Sequence, residues 1–389
     1  MENYFSDIPL LMDDNGGVPE INKNIHATKY KFIKYDYSNV YYVEKKNKKV
    51  PLPPIEQIIK NAVIYSKENM LSCFIQYLLE SNYEEGNDNI KNQIFDSIKE
   101  NIYDLSIDFY GNYVIQGILY NNDKAKNKYI LNKLIEKDIY KLSLHTYGSR
   151  VIQKLIDNSL DYNDKKLIYE KLKNNLKELF LHQNGNHVIQ KLIINLDEED
   201  LDDIYNAVFK DIKDLIRNIY GSHIIQVLIF RLQNEEKLIN LINEIINDNI
   251  IELCKDKYSN YVLKIILSKD KKFLDIIFEK IKGNLAELTK NIYALYSIHI
   301  IEFIIKYGND KQKKEICEEI IENDNKDNNY ILNLINDKCG NFLIGTIIDF
   351  CPLDIIQEII NRIKKNFPKN LERNWIFIHQ KLFTKGINI

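Results

Sequence analysis

The chain has 389 residues, 45% of them hydrophobic, with 13 glycines and 7 prolines; that is ample material for burial and predicts helices rather than a sheet-rich fold. The formal net charge of −3 argues against a protein held to a nucleic acid by overall positive charge, although acidic runs such as Asp197-Glu198-Glu199-Asp200 leave room for a neutral or basic face elsewhere. The cysteines (Cys73, Cys254, Cys317, Cys339, Cys351) form no CxxC pair and have no histidine partners at zinc spacing, so they read as reduced, mostly buried thiols in a reducing compartment.

Residues 1–54 read as an N-terminal tail, partly disordered or capping. The start, Met1 to Asp7, has no basic stretch followed by an apolar run, so no secretory leader is expected. The tail ends in Pro51-Leu52-Pro53-Pro54, which blocks any helix running through it. Its aromatics Tyr37, Tyr41 and Tyr42 are candidates to cover the first repeat beyond the prolines, because a terminal repeat needs a cap over its apolar face.

From Ile55 to Ile389 helix signals alternate with short polar breaks. Ile58, Ile59, Ala62 and Val63 share one helix face. Tyr129–Ile135, Leu167–Leu172 and Leu238–Ile246 repeat that style. Each is followed by a break and a second apolar helix, so one repeat is predicted to hold two main helices, stable only when stacked. The last piece, from about 350, carries an amphipathic helix (Ile355, Ile356, Ile359, Ile360, Ile363) and reads as an end cap. Trp375, Phe377 and Phe383 are expected to be packing residues of that cap. No apolar stretch approaches the roughly 20 residues needed to span a bilayer, so no membrane association is expected.

Within the repeats one short pattern recurs. It stands as Gly111-Asn112-Tyr113-Val114-Ile115-Gln116, Gly148-Ser149-Arg150-Val151-Ile152-Gln153, Gly185-Asn186-His187-Val188-Ile189-Gln190 and Gly221-Ser222-His223-Ile224-Ile225-Gln226. A weaker copy is Ser259-Asn260-Tyr261-Val262-Leu263-Lys264. The Asn or Ser recurs every 36 to 38 residues (112, 149, 186, 222, 260), the mark of a stacked-repeat protein.

Taking the Asn or Ser as the first position, the next residue is the second and the Gln the third. Positions i and i+4 lie on one helix face, so Asn186 and Gln190 are predicted to form a fork, with His187 rotated about 100° from it. The fork suits the edge of one flat base. A Gln amide both donates and accepts, matching adenine or uracil, whereas Glu only accepts and matches guanine. Second positions (Tyr113, Arg150, His187, His223, Tyr261, His299, Phe342) are planar groups able to stack on bases, worth roughly 1–3 kcal/mol per base. An Asn or Ser after a loop is often only a helix N-cap. A cap explains neither the planar neighbour nor the Gln four residues on. The pattern therefore predicts single-stranded RNA bound one base per repeat.

These residues resemble the Pumilio (PUF) RNA-binding repeats, most strongly at Tyr110–Gln116 and Tyr147–Gln153, and the resemblance runs from about Ile55 to the C-terminus. It implies an all-α fold: a right-handed α-solenoid, or superhelix, of eight Pumilio-type helical repeats with terminal caps over 55–389. A first repeat fits at Ser72 and Gln76, with Cys73 between as a poor stacker. Repeats two to five carry Asn112/Gln116, Ser149/Gln153, Asn186/Gln190 and Ser222/Gln226. Repeat six has Asn260 with Lys264 in place of Gln. Repeat seven aligns with Ile298 first, His299 second and Glu302 third, as in a guanine-reading repeat. Repeat eight has Asn341 and Phe342, with Gly345 third. By the family's antiparallel correspondence, repeats eight to one would read about UGUAUAUA.

The resemblance further implies a cytoplasmic, monomeric regulator without cofactor or metal. It would bind messenger RNA 3′ untranslated regions and repress translation or promote decay, with deadenylase or translational repressor proteins as partners. Two other readings are a helical-repeat scaffold for proteins and a nucleolar PUF-like protein with low base specificity. Neither predicts intact forks in repeats two to five. An enzyme is not expected. His26, His145, His182 and His379 show no nucleophile or metal spacing, and no Gly-rich phosphate loop occurs. His145 and His182, four residues before first positions, read as loop or helix-end residues.

Overall fold

The computed structural model describes residues 30–34, 40–45, 48–80, 87–121, 123–158, 160–289, 294–324, 329–365 and 373–387. Tyr37, His26 and Met1 to Asp7 lie outside the described residues. The contacts within the chain divide it after Lys210 into two compact units, each of which is a stack of short helices.

The N-terminal unit opens on a feature that the all-α expectation missed. Strands β1 (Lys31–Lys34), β2 (Tyr41–Lys45) and β3 (Lys48–Pro51) form an antiparallel sheet in the order β1-β2-β3, with Val43 opposite Phe32 on one side and Val50 on the other. The alternation that makes β2 a strand is visible in its burial: Tyr41 and Val43 are buried while Tyr42 and Glu44 are half-buried. Phe32 and Tyr41 set their rings 5.3 and 5.1 Å from Phe74, and Phe32 lies 5.4 Å from Tyr77. Tyr41 thus covers the first helical layer, as a terminal cap must.

After α1 (Ile55–Lys60) and α2 (Ala62–Tyr65) comes α3 (Asn69–Glu80), which carries Ser72 and Gln76. Helices α4 (Asn87–Ile98), α5 (Ile102–Ser106), α6 (Gly111–Tyr120), α7 (Lys124–Lys137), α8 (Ile139–Leu144), α9 (Gly148–Asn158), α10 (Tyr162–Leu172), α11 (Leu176–Leu181), α12 (Gly185–Asn195) and α13 (Asp202–Lys210) complete the unit. A repeat therefore has three helices, not two. A short one (α5, α8, α11) turns the chain into the motif helix (α6, α9, α12), and a longer one follows. The short helices form because apolar residues fall three apart on one face: Ile102 and Leu105 are buried, and Ser106 beside them donates its hydroxyl to the Ile102 carbonyl at 2.7 Å.

The second unit repeats the plan. Its motif helices are α15 (Ile219–Arg231), α18 (Ser259–Lys269), α21 (Ala294–Tyr307) and α24 (Gly340–Phe350). The short helices are α14 (Ile212–Ile216), α17 (Ile250–Lys255), α20 (Leu285–Leu288) and α23 (Tyr330–Asn336). The long ones are α16 (Glu235–Ile246), α19 (Lys271–Ile281), α22 (Asp310–Asn323) and α25 (Leu353–Lys365), with α26 (Arg373–Thr384) last.

Motif helices pack side by side: α3 on α6, α6 on α9 and α9 on α12 in the first unit, then α15 on α18, α18 on α21, α21 on α24 and α24 on α26 in the second. Their apolar pairs make the core; Val114, Ile115, Ile118 and Leu119 are each at most 2% exposed. Burial of each such side chain contributes roughly 1.5–3 kcal/mol. Charged ties between repeats, such as Lys133–Glu100 at 2.9 Å and Arg362–Asp324 at 2.8 Å, lie largely at the surface, where solvent screening leaves them little net worth. Apolar stacking holds the repeats together.

In the C-terminal cap Ile356, Ile359, Ile360 and Ile363 are buried and Trp375 donates its indole N–H to Asn336 Oδ1 at 3.0 Å. Phe383, expected to pack, is instead 67% exposed, because it falls on the outer side of α26. Among the described residues no helix is long and apolar enough to cross a membrane.

Candidate nucleic-acid interface

The motif begins with a turn of which the sequence pattern disclosed only part. In repeats two to six and in repeat eight, a side chain four residues before the first position accepts from two successive backbone N–H groups entering the motif helix. Asp108 Oδ1 accepts from Tyr110 and Gly111 (2.9 and 2.8 Å). His182 Nδ1 accepts from Asn184 and Gly185 (3.1 and 3.2 Å). Asn218, Asp256 and Asp337 do the same, as does His145 Nδ1. These nitrogens accept, so they carry no proton. The capping role that an Asn or Ser at the first position would have played belongs to this earlier residue. The signal was present in the sequence as a polar residue at a constant offset; only repeat seven, with Ala294, lacks it.

The first-position side chain is thereby freed to turn back on the loop. Asn112 Nδ2 donates to the carbonyls of Asp108 and Phe109, both at 2.9 Å. Its Oδ1 accepts from Gln116 Nε2 at 2.9 Å. Asn186 repeats this with His182, Gln183 and Gln190, the last at 2.7 Å. Asn260 donates to Asp256 and Lys257. Ser72, Ser149 and Ser222 give their hydroxyls to carbonyls three residues back.

This corrects one expectation. Ser72, Asn112, Ser149, Asn186, Ser222, Asn260 and Asn341 are all buried, Asn186 completely; they are not a second, open arm of the fork. Both amide hydrogens and the oxygen of Asn112 and Asn186 are already committed. Their work is to hold the third-position amide in one orientation. Gln116 is half-buried, while Gln76, Gln153, Gln190 and Gln226 retain 9% exposure or less, so those amides lie low between neighbouring side chains. Among the described residues, Gln76 Oε1 and Gln153 Nε2 have no hydrogen-bond partner. A buried amide group left so costs about 1–3 kcal/mol.

The second positions are the exposed members. Arg150, Tyr261, His299 and Phe342 are open to solvent, and Tyr113, His187 and His223 are half-buried. Burial raises the Tyr113 phenol, the Arg150 guanidinium of the next repeat works against that, and the Tyr147 phenol and the Cys73 thiol of the preceding repeat add to it. The second positions of repeats one to three are thus electrostatic neighbours.

Three third positions differ from Gln. Lys264 is half-buried. Glu302 accepts from Thr346 at 3.0 Å through Oε1 and faces His299 Nδ1 at 3.3 Å through Oε2, and each carboxylate oxygen keeps further accepting capacity. Ile298 is buried, and Ser297 before it gives its hydroxyl to the Leu288 carbonyl, as Ser259 before Asn260 does to the Leu253 carbonyl. Gly345 is buried beneath Phe377 of the cap.

The eight motif helices together carry seven basic residues (Arg150, Lys154, Lys191, Arg231, Lys264, Lys269, Lys306) and four acidic ones (Glu80, Asp157, Glu302, Asp349), a balance of +3 against −3 for the whole chain. The acidic excess therefore lies outside the motif helices, in segments such as Asp197-Glu198-Glu199-Asp200. Among the described residues no group of three His, Cys, Asp or Glu could hold a metal ion, and the five cysteines are free, four of them buried.

Three-helix repeats that set a planar side chain on seven of eight motif helices and a polar third-position group on seven of eight define a helical-repeat protein of the solenoid class. The family model described as a Pumilio-family RNA binding repeat matches residues 101–135, 138–173, 181–209, 211–246, 249–271 and 296–321, repeats two to seven in the present numbering. Comparison with curated proteins gives no match. Among solved structures, the chain is similar to the Puf3 RNA binding domain bound to a Cox17 RNA 3′ UTR recognition sequence. That likeness has 27% identity and a TM-score of 0.75, over 84% of this chain and 95% of that one. It also resembles PUF-8 in complex with PBE-RNA (20% identity, TM-score 0.72, 85% and 94% covered). The RNA-binding domain of yeast Puf5p bound to MFA2 RNA is a third (19%, 0.53, 86% and 90%). The chain belongs to the Pumilio family of RNA-binding repeat proteins.

Proposed function

We propose that the chain binds single-stranded RNA one base per repeat. The element it reads is about UGUAUAUA, in the 3′ untranslated regions of messenger RNAs. Through it the chain represses translation or promotes decay as a non-catalytic, cytoplasmic regulator that recruits other proteins. The observation that carries this reading is the support built behind the reading groups of repeats two and four. Asn112 and Asn186 are anchored to loop carbonyls through Nδ2 and accept from Gln116 and Gln190 through Oδ1, which holds those amides in one orientation. An amide fixed from behind discriminates between base edges, whereas a freely rotating one accepts either. The planar row beside these groups supplies sequence-tolerant stacking. A 3′ UTR sequence is what the Puf3 domain at 27% identity is bound to.

The test is a single substitution. Gln226→Glu in repeat five should move the preferred base there from adenine to guanine, by about tenfold on the scale of one good edge contact, in a binding assay with otherwise identical oligonucleotides. An unchanged preference would remove the one-base-per-repeat reading. Equal affinity of the native chain for the element and a scrambled RNA would favour a protein-binding scaffold instead.

A further inference from the structure

We propose that repeat eight is a stacking platform completed by the C-terminal cap, and that it takes its nucleotide without selecting the base. The inference rests on the RNA-binding reading above and sharpens it at one end. In repeats two and four the Asn oxygen accepts from the Gln amide of the third position. In repeat eight that residue is Gly345, and the place a side chain would take is filled from elsewhere. A Cβ on Gly345 would stand 2.7 and 2.9 Å from Cε1 and Cζ of Phe377, closer than real Cβ atoms come to any neighbour. Phe377 lies on α26, and its ring substitutes for the missing reading group.

Two independent features agree. Asn341 sits where Asn112 and Asn186 sit and is 6% exposed, yet its Oδ1 has no hydrogen-bond partner among the described residues; position 345 supplies no amide for it to accept from. Phe342, at the second position, is 53% exposed and packs edge-on to Phe377, centroids 5.5 Å apart at 63°. An incoming base therefore meets two aromatic rings and no donor or acceptor from position 345 itself; the Lys381 ammonium, 5.6 Å from the centre of the Phe377 ring, is paired with Asp349. Every base has a π-face, so such a site contributes affinity without discrimination. The uracil that the family correspondence assigns to this repeat is then not a requirement.

Four RNAs of the form NGUAUAUA, differing only in N, and a seven-nucleotide RNA lacking N would be titrated against the full chain. The four should bind within about threefold of one another, and the shorter RNA about tenfold more weakly, as loss of one stacked base predicts. Phe342→Ala should weaken binding of the long RNAs to the level of the short one and leave the short one unchanged. Gly345→Gln together with Phe377→Ala should create selectivity at N, because an amide then has room beside Asn341; Gly345→Gln alone should not, because the ring still blocks it. A native chain that discriminates tenfold or more at N, while also discriminating at repeats two to five, overturns this inference and leaves the general reading intact. A native chain indifferent to sequence at every position overturns both.

Discussion

At the scale of residues, the Asn and Ser alternatives at the first position are not equivalent supports. Asn reaches two loop carbonyls and still offers an oxygen to the third-position amide, as Asn186 does with Gln190 at 2.7 Å. Ser reaches one carbonyl, and in repeats one and three the amide beside it keeps an atom, Gln76 Oε1 or Gln153 Nε2, with no partner among the described residues. The two pairs therefore present differently held amides, a physical basis for different base preferences. Because Asn186 is wholly buried with all its polar atoms bonded, Asn186→Ala should cost about 1–3 kcal/mol of stability by orphaning its partners. Thermal unfolding of the variant measures it; an unchanged midpoint would mean the network adds nothing. That the pattern held polar groups at i and i+4 was legible from spacing alone. That the first of them faces inward was not, because its partners are loop carbonyls whose directions no local pattern specifies.

At the scale of elements, the entry to each motif helix is set by a tight approach. In repeat five a Cβ on Gly221 would lie 2.6 Å from the Leu215 carbonyl oxygen, so any larger residue must push the short helix α14 away. In repeat six the same place holds Ser259, which donates its hydroxyl to the Leu253 carbonyl at 2.7 Å. Gly221→Ala should therefore lose about 1–3 kcal/mol through overpacking, and Gly221→Ser should lose less, because its hydroxyl can bond the carbonyl it crowds. Comparing the denaturation midpoints of the two variants decides it; a serine variant no better than the alanine one would count against the argument. The short helices and the N-terminal sheet were hidden in the sequence for one reason. Each has too few residues for its period to stand out, and each is fixed by what it packs against: Phe32 and Tyr41 on Phe74, Ile102 and Leu105 in the core.

At the scale of the whole molecule, charge sets how binding should respond to salt. The motif helices carry a balance of +3 while the chain carries −3. With about three phosphates neutralised, and a slope of about −0.7 per phosphate for single strands, log affinity against log salt should fall with a slope near −2. That is roughly a 20-fold loss between 50 and 200 mM salt. A slope steeper than about −5 would show that charge rather than stacking and edge contacts supplies the affinity.

Repetition is why so much was readable in advance. A period of 36 to 38 residues, with the same polar and planar types at the same offsets, identifies the repeat class and its reading positions, because side chains at i and i+4 share a helix face wherever the helix lies. Contacts between distant segments were beyond that reach. Gly345 and Phe377 stand 32 positions apart in the chain and meet only because α26 folds back on α24, so the closing of repeat eight by an aromatic ring was decided by tertiary packing. The inward turn of the first-position residues was decided in the same way, by backbone carbonyls that only the folded loop brings into reach.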